Sequence, residues 1–242
     1  MTSMPPAQTS SDTAATPPPG CRYGLDIETD TTIDGLDATR AAIVAVAVSG
    51  LDDEHVLLGD EGDILRRLDE LLRSLDPGVI ITWNGTNFDL PFIATRAAMH
   101  GVPVGLRLDD GGAGWPPTHR TGRHRCIWGH HRHLDGYRLY RDDFGRTTGL
   151  SCGLKPLARL AGLHPVEVDR ARIHLLDDAQ IREYVASDAR LARQLVDRRM
   201  PLAFTAADPP VTAAEGPAPG LPPRPLPIVS VGTGCQTALD ND

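Results

Sequence analysis

From Tyr23 onward the chain alternates short apolar runs with longer stretches of helical spacing. Tyr23–Glu28 (YGLDIE) reads as a short strand, and Ala41–Ser49 (AAIVAVAVS) as a strand covered on both faces, being nearly continuous in apolar residues. Val56–Leu58 is a third short strand. Asp63–Leu75 places Ile64, Leu65, Leu68, Leu71, Leu72 and Leu75 on one face, which predicts an amphipathic helix stopped by Asp76-Pro77-Gly78. Val79–Trp83 (VIITW) reads as another strand, and Pro91–Met99 as a helix with proline in its first turn. Leu154–Leu160 and Asp178–Arg198 are two more helices, while 115–133 reads as a loop. Three strands in succession followed by strand–helix units predict an α/β domain with a mixed sheet.

Composition sets the limits of that domain. No run of about 18 apolar residues occurs among the 242, which excludes a transmembrane helix. The first twenty residues lack both basic groups and an apolar stretch, so they do not form a secretory signal. Cys21, Cys126, Cys152 and Cys235 are scattered without a CxxC pair; a reducing, cytoplasmic setting is expected rather than a disulfide framework. Five prolines in 1–20 and eight in 205–242 mark two segments too poor in apolar surface to offset the entropy of ordering. Residues 1–21 and 205–242 are therefore expected as flexible tails, the second a candidate to recruit a protein partner, around a folded domain at 22–204. Half of the formal net charge of −8 falls in those tails. An acidic chain does not attract phosphate backbones as a whole, which disfavours a DNA-coating protein but not a nuclease whose own site is built of carboxylates.

Three groups do not fit their surroundings. Asp26 and Glu28 project from the same face of the first strand, an arrangement costly to bury unless a cation neutralises it; a strand end facing water is the bland alternative. Asp188 interrupts an apolar stripe of Ile181, Tyr184, Val185, Leu191, Ala192 and Leu195, with Tyr184 one turn earlier on the same face. A partly solvated aspartate beside a core tyrosine is the alternative there. Asn84–Asp89 (NGTNFD) follows the VIITW strand and delivers Asp89 to a sheet edge; taken alone, Asn87 or Asp89 reads first as a cap of the helix entering at Leu90-Pro91, and Phe88 would by default be core. Taken together, four carboxylates from two strand ends and two helices match the oxygen-rich ligand set of paired Mg²⁺ or Mn²⁺ ions.

Asp26-Ile27-Glu28-Thr29, the NGTNFD segment and Tyr184-Val185-Ala186-Ser187-Asp188 resemble, in order and spacing, the three motifs of the DEDD superfamily of 3′–5′ exonucleases. Tyrosine four residues before the last aspartate is similar to the tyrosine subgroup. The nearest likeness is the proofreading exonuclease domain of family B DNA polymerases, which His133–Arg138 and Ser151–Lys155 also resemble. The resemblance covers roughly 22–200, and with no polymerase domain following it implies a free-standing exonuclease of RNase H-like fold. It further implies that Asp26, Glu28, Asp89 and Asp188 hold two Mg²⁺ or Mn²⁺ ions, that Tyr184 orients the nucleophile, and that 5′-mononucleotides leave a single-stranded DNA 3′ end.

Asn84 and Phe88 match family positions that contact the terminal nucleotide. Between motifs, 115–133 interleaves Arg120, Arg123, Arg125 and Arg132 with histidines, Trp115 and Trp128, a composition suited to phosphates and bases, though equally to a solvated loop. Cys126 with His124, His130 and His131 has spacing too irregular for a zinc site. Repair or end trimming of DNA is the expected role. An exoribonuclease with the same site, and a non-catalytic nucleic-acid-binding module, are the competing readings.

Overall fold

The computed structural model describes residues 20–108 and 123–199, the side chains of 123–126 and 170–171 excepted. Seven strands form one sheet: β1 Cys21–Thr29, β2 Ile43–Ser49, β3 Glu54–Leu58, β4 Gly78–Thr82, β5 Leu106–Leu108, β6 Arg123–Trp128 and β7 His131–Asp135. Their spatial order is β3-β2-β1-β4-β7-β6-β5, with β4 parallel to both β1 and β7 and the other pairs antiparallel. The sheet is therefore mixed, as expected. Helices α1 Glu61–Ser74 and α2 Asp89–His100 connect the strands. They are followed by α3 Gly136–Tyr140, a π-helical turn at Arg141–Gly145, α4 Arg146–Thr148, α5 Leu154–Leu160, a 3₁₀ turn at Arg170–Leu175 and α6 Asp178–Asp197. None of the described helices is long and apolar enough to cross a membrane. The first strand begins at Cys21; Gly20 apart, the rest of both expected tails lies outside the described residues.

The alternation along each strand sorts side chains between two cores. Tyr23, Leu25 and Ile27 of β1, with Val46 and Val48 of β2, meet Ile64, Leu65, Leu68 and Leu72 of α1 on one side of the sheet. On the other, Ala45 and Ala47 lie under Val185, Ala186 and Ala189 of α6. Farther along the same side, Val79, Ile81 and Leu134 pack with Leu191 and Leu195. Only small residues separate α6 from β1 and β2. Gly24 is decisive, because a Cβ there would lie 1.9 Å from the carbonyl oxygen of Ala189.

The α1–α2 layer is pinned by a buried ionic cluster. Glu61 Oε1 accepts from the Ile43 amide (2.6 Å) and from Arg96 Nε (2.7 Å), while Oε2 accepts from His100 Nε2 (2.6 Å) and from the Arg96 fork. Burial by itself pushes the Glu61 carboxyl up, but the hydrogen bonds from Arg96, Ile43 and His100 together outweigh it and hold it below its ordinary value.

The 115–133 stretch is not one loop. Its second half supplies β6 and β7, and β7 runs beside β4 in the middle of the sheet. The sequence HRHLD conceals this because its inward residues are polar, and each takes a hydrogen-bond partner from a distant segment. His131 Nε2 donates to the Leu72 carbonyl (2.6 Å), His133 Nε2 meets Thr82 Oγ1 (2.8 Å), and Asp135 takes backbone amides described below.

Two outcomes follow from this packing. Gly24→Ala should cost at least about 1–3 kcal/mol by overpacking against a backbone atom, read as a lowered Tm in a thermal melt. Because the folded-state pKa of Glu61 is depressed, its contribution is complete above the ordinary carboxylate range and disappears as pH falls through the folded value. Glu61→Gln should therefore destabilise the fold near neutral pH by about 3–5 kcal/mol, by leaving Arg96 buried without its counter-charge. It should also flatten part of the acid-side loss of stability in melts recorded between neutral and acidic pH.

Candidate active site

Gly24, Asp26 and Glu28 share the face of β1 that α6 covers, and the antiparallel register sets Asp26 opposite Ala47 and Glu28 opposite Ala45. Two alanines beside two acids leave the carboxylates room that larger β-formers would occupy. From above comes α6, started by a reciprocal cap in which Asp177 accepts from the Gln180 amide (2.8 Å) and Gln180 Oε1 from the Asp177 amide (3.0 Å). The close approach at Gly24 then brings Asp188 down onto the pair. Asp26, Glu28 and Asp188 each place a carboxylate oxygen within 4.8 Å of the others, with Glu28 and Asp188 buried and Asp26 partly so.

Asp89 arrives on a separate element, as the first residue of α2. It is buried, and its carboxyl sits beside the backbone of Ile27, between the two acids of β1. Burial pushes that carboxyl up to about 7; the amide of Asp89 itself pulls it down, the Asp135 carboxylate pushes it up again, and the Ile27 amide opposes. Asp89 is not the cap of α2, a position that Phe88 occupies.

The turn that aims Asp89 is unusual. Asn84 has φ 67°, the left-handed region that asparagine tolerates better than most residues. Its carbonyl accepts from the amides of Asn87 (3.0 Å) and Phe88 (3.2 Å). Gly85 lies flat on Thr82, where a Cβ would come within 2.2 Å of Oγ1. Asp135, wholly buried at the end of β7, holds the turn from below. One of its oxygens accepts from the amide of Asn84 (3.0 Å) and the other from that of Thr86 (3.2 Å), while Oδ1 also caps α3 through the Tyr137 amide (3.1 Å).

Lys155 completes the centre. It is the only lysine of the chain, and composition alone reads it as no more than a bias toward arginine. In the structure it is buried near the start of α5, with Nζ 3.6 Å from Asp188 Oδ2 and 4.1 Å from the centroid of the Tyr184 ring. The Val166 carbonyl accepts from the same ammonium at 2.7 Å. A signal was present in the sequence: Lys155 sits among Leu154, Leu157 and Ala158, on the apolar side of its helix.

The predicted residues thus fall into groups. Asp26, Glu28 and Asp188 converge, Tyr184 stands one turn before Asp188 under Lys155, and Asp89 approaches from α2. Asn84 forms the turn, and Phe88 packs partly against the core, its ring 5.3 Å from that of Phe92. Trp128 is corrected: it is not presented to a strand of nucleic acid but is 1% exposed, its indole Nε1 donating to Asp69 Oδ1 at 2.8 Å. An aromatic bracketed by arginines and histidines looks solvent-facing in sequence, whereas strand alternation turns it inward. The side chains of Arg123 and Arg125 lie outside the described residues, as does Arg120. His130 and His131 spend their Nε2 atoms on the carbonyls of Leu75 (2.9 Å) and Leu72 (2.6 Å), in keeping with a structural role.

Three buried or half-buried carboxylates within bonding reach of one point repel one another, and the Lys155 ammonium offsets part of that repulsion. An all-oxygen donor set of this kind fits a hard divalent cation and does not fit a soft metal.

Comparison with known proteins agrees with this geometry. Residues 53–145 match the family profile for the exonuclease domain of DNA polymerase family B. The chain is 33% identical over 116 residues to a catalytic subunit of DNA polymerase epsilon from Schizosaccharomyces pombe, covering 46% of this chain and 5% of that protein. It is 39% identical over 54 residues to DNA polymerase 1 of Pyrococcus abyssi, covering 22% of this chain and 7% of the relative. The structure is similar to that of the family B DNA polymerase from the hyperthermophilic archaeon Pyrobaculum calidifontis. That likeness has a TM-score of 0.59 at 25% identity and covers 76% of this chain and 25% of the polymerase. The chain therefore spans only a small part of the length of the polymerases it matches. The mixed seven-stranded sheet flanked by helices is RNase H-like, and the three acidic motifs in order and these matches make the chain similar to the exonuclease domains of family B DNA polymerases.

Proposed function

We propose that this protein is a divalent-metal-dependent 3′–5′ exonuclease that removes 5′-mononucleotides from single-stranded DNA ends. The observation that carries this reading is the convergence of Asp26, Glu28 and Asp188 within 4.8 Å, from elements far apart in sequence. Likeness to proofreading exonuclease domains supports the nuclease class. Activity outside a polymerase, preference for DNA and the use of two ions belong to the proposal.

Asp26, Glu28 and Asp188 would hold Mg²⁺ or Mn²⁺, with Asp89 completing the set. Bound there, such ions supply an acidified water and neutralise the charge that develops on the leaving 3′ oxygen. The remaining work falls to the chain itself. Tyr184 offers a hydroxyl to orient the attacking water. Lys155 fixes both Tyr184, through its ring face, and Asp188, through its carboxylate, and is itself tethered by Val166. Asp135 keeps the Asn84–Asn87 turn in the shape that presents Asp89 and Asn84 to a terminal nucleotide.

With a 5′-labelled single-stranded DNA and Mn²⁺, the expected result is stepwise shortening from the 3′ end, release of 5′-mononucleotides and complete inhibition by EDTA. Shortening from the 5′ end, or activity resistant to EDTA, would refute the reading; a matched RNA oligonucleotide cut faster than the DNA would move it to an exoribonuclease. Asp188→Ala should lower the rate by at least about 100-fold, since even outer partners of metal ligands are worth about 10–100-fold, while circular dichroism remains unchanged. Lys155→Met, which keeps length and loses charge, should lower kcat by about 10–100-fold. It should not raise the Mn²⁺ concentration needed for half-maximal rate, because the ammonium competes with the metal for Asp188. A Mn²⁺ titration of initial rates checks both halves of that statement.

A further inference from the structure

Lys155 does not reach the carboxylates from α5 unaided; its ammonium is tied to α6 by way of one peptide unit. The link 163–169, between α5 and the 3₁₀ turn, has neither helical nor strand structure. Pro165 within it biases His164 toward extended backbone and brings no amide of its own. The link is anchored to α5, the Leu163 amide donating to the Ala158 carbonyl at 2.8 Å and Glu167 pairing with Arg159. At Val166 both main-chain polar groups turn to side chains, each from a different helix. The Val166 amide donates to Ser187 Oγ of α6 at 3.2 Å, and its carbonyl accepts from Lys155 Nζ of α5 at 2.7 Å.

Ser187 is buried, only 3% exposed, in the middle of α6. A serine there ordinarily turns back to a carbonyl of its own helix; this one takes an amide 21 residues away. Tyr184, Ser187 and Asp188 stand at positions i, i+3 and i+4 and so form one patch on α6. Lys155 meets that patch at two corners, 4.1 Å from the Tyr184 ring centroid and 3.6 Å from Asp188 Oδ2, and Val166 meets it at the third. The approach to Asp188 is longer than a hydrogen bond and the contact with the ring is not directional in the same way. A lysine stem is flexible, so the 2.7 Å bond to the Val166 carbonyl decides where the charge rests. The position of that carbonyl is in turn fixed by what its own residue's amide finds on α6.

We infer that Ser187 is a positioning residue for the carboxylate centre: by fixing the Val166 peptide it sets where the Lys155 ammonium rests against Tyr184 and Asp188. The inference deepens the exonuclease reading, on which its kinetic consequence rests, and one of its two readouts needs no activity. Lys155 is the only lysine of the chain. Growth on ¹³C-labelled lysine therefore gives a single labelled side chain in the NMR spectrum, its εCH₂ resonances displaced from free-lysine values by the Tyr184 ring. Ser187→Ala removes the acceptor, and Ser187→Cys keeps the buried volume while offering only a weak one. Both should bring those resonances toward free-lysine values. Both should also lower kcat on single-stranded DNA by about three- to tenfold, as loss of one hydrogen bond does, with KM unchanged. In a Lys155→Met background Ser187→Ala should cause no further loss, because the group it positions is gone. Lysine resonances unmoved in both variants would overturn the assignment. So would losses in kcat that multiply in the double variant, the behaviour of a serine that only stabilises its helix. If the resonances move as expected but the wild type releases no mononucleotide, the exonuclease reading fails while the placement of Lys155 by Ser187 stands.

Discussion

Everything in this domain that concerns chemistry depends on how closely α6 can lie on β1. Carboxylates on a strand and on a helix meet only if nothing thicker than an alanine separates the two elements, and Gly24, Ala45, Ala47 and Ala189 provide that clearance. The cost is an electrostatic one. Asp26, Glu28 and Asp188 are forced within 4.8 Å of one another against their mutual repulsion, and the apolar layers on both faces of the sheet supply the packing energy that holds them there. A pocket assembled in this way is predisposed to take up a divalent cation, because binding one relieves the repulsion that folding has imposed.

The second organising element is Asp135. Its carboxylate collects amides from both sides of the site, the Asn84–Thr86 turn and the start of α3, and adds to the burial that raises Asp89. A single buried group therefore couples the shape of the motif turn, the protonation of Asp89 and the start of α3. Lys155 plays the matching part on the opposite side, joining α5 to α6 through Tyr184 and Asp188. Between them these two residues frame the carboxylate centre.

The elements recognisable in the sequence are those whose burial follows a simple period. Leucines at helical spacing in α1, the β-branched run of β2 and the interrupted stripe of α6 are legible, and with them the acids at 26, 28 and 188. β6 and β7 escape because their inward positions are Trp128, His131, His133 and Asp135, polar-tipped residues whose partners lie 51 to 59 residues away. A histidine that will find a carbonyl in the core looks the same in sequence as one that will stay in water. The expectation of an exposed Trp128 fails for that reason.

Local chemistry by itself determined that acids would stand where apolar residues belong, on one face of β1 and in the stripe of α6, since side-chain periodicity is a property of the backbone alone. It determined as well the order of the three motifs and the kind of ion that such oxygen donors accept. Only the tertiary structure decided that those acids share one volume, that the lone lysine stands among them, and that Asp135 ties the motif turn to the start of α3. Each of these depends on which distant segments lie in contact, and contact across the sheet is set by the close fit of glycine, alanine and buried polar partners rather than by any pattern running along the chain.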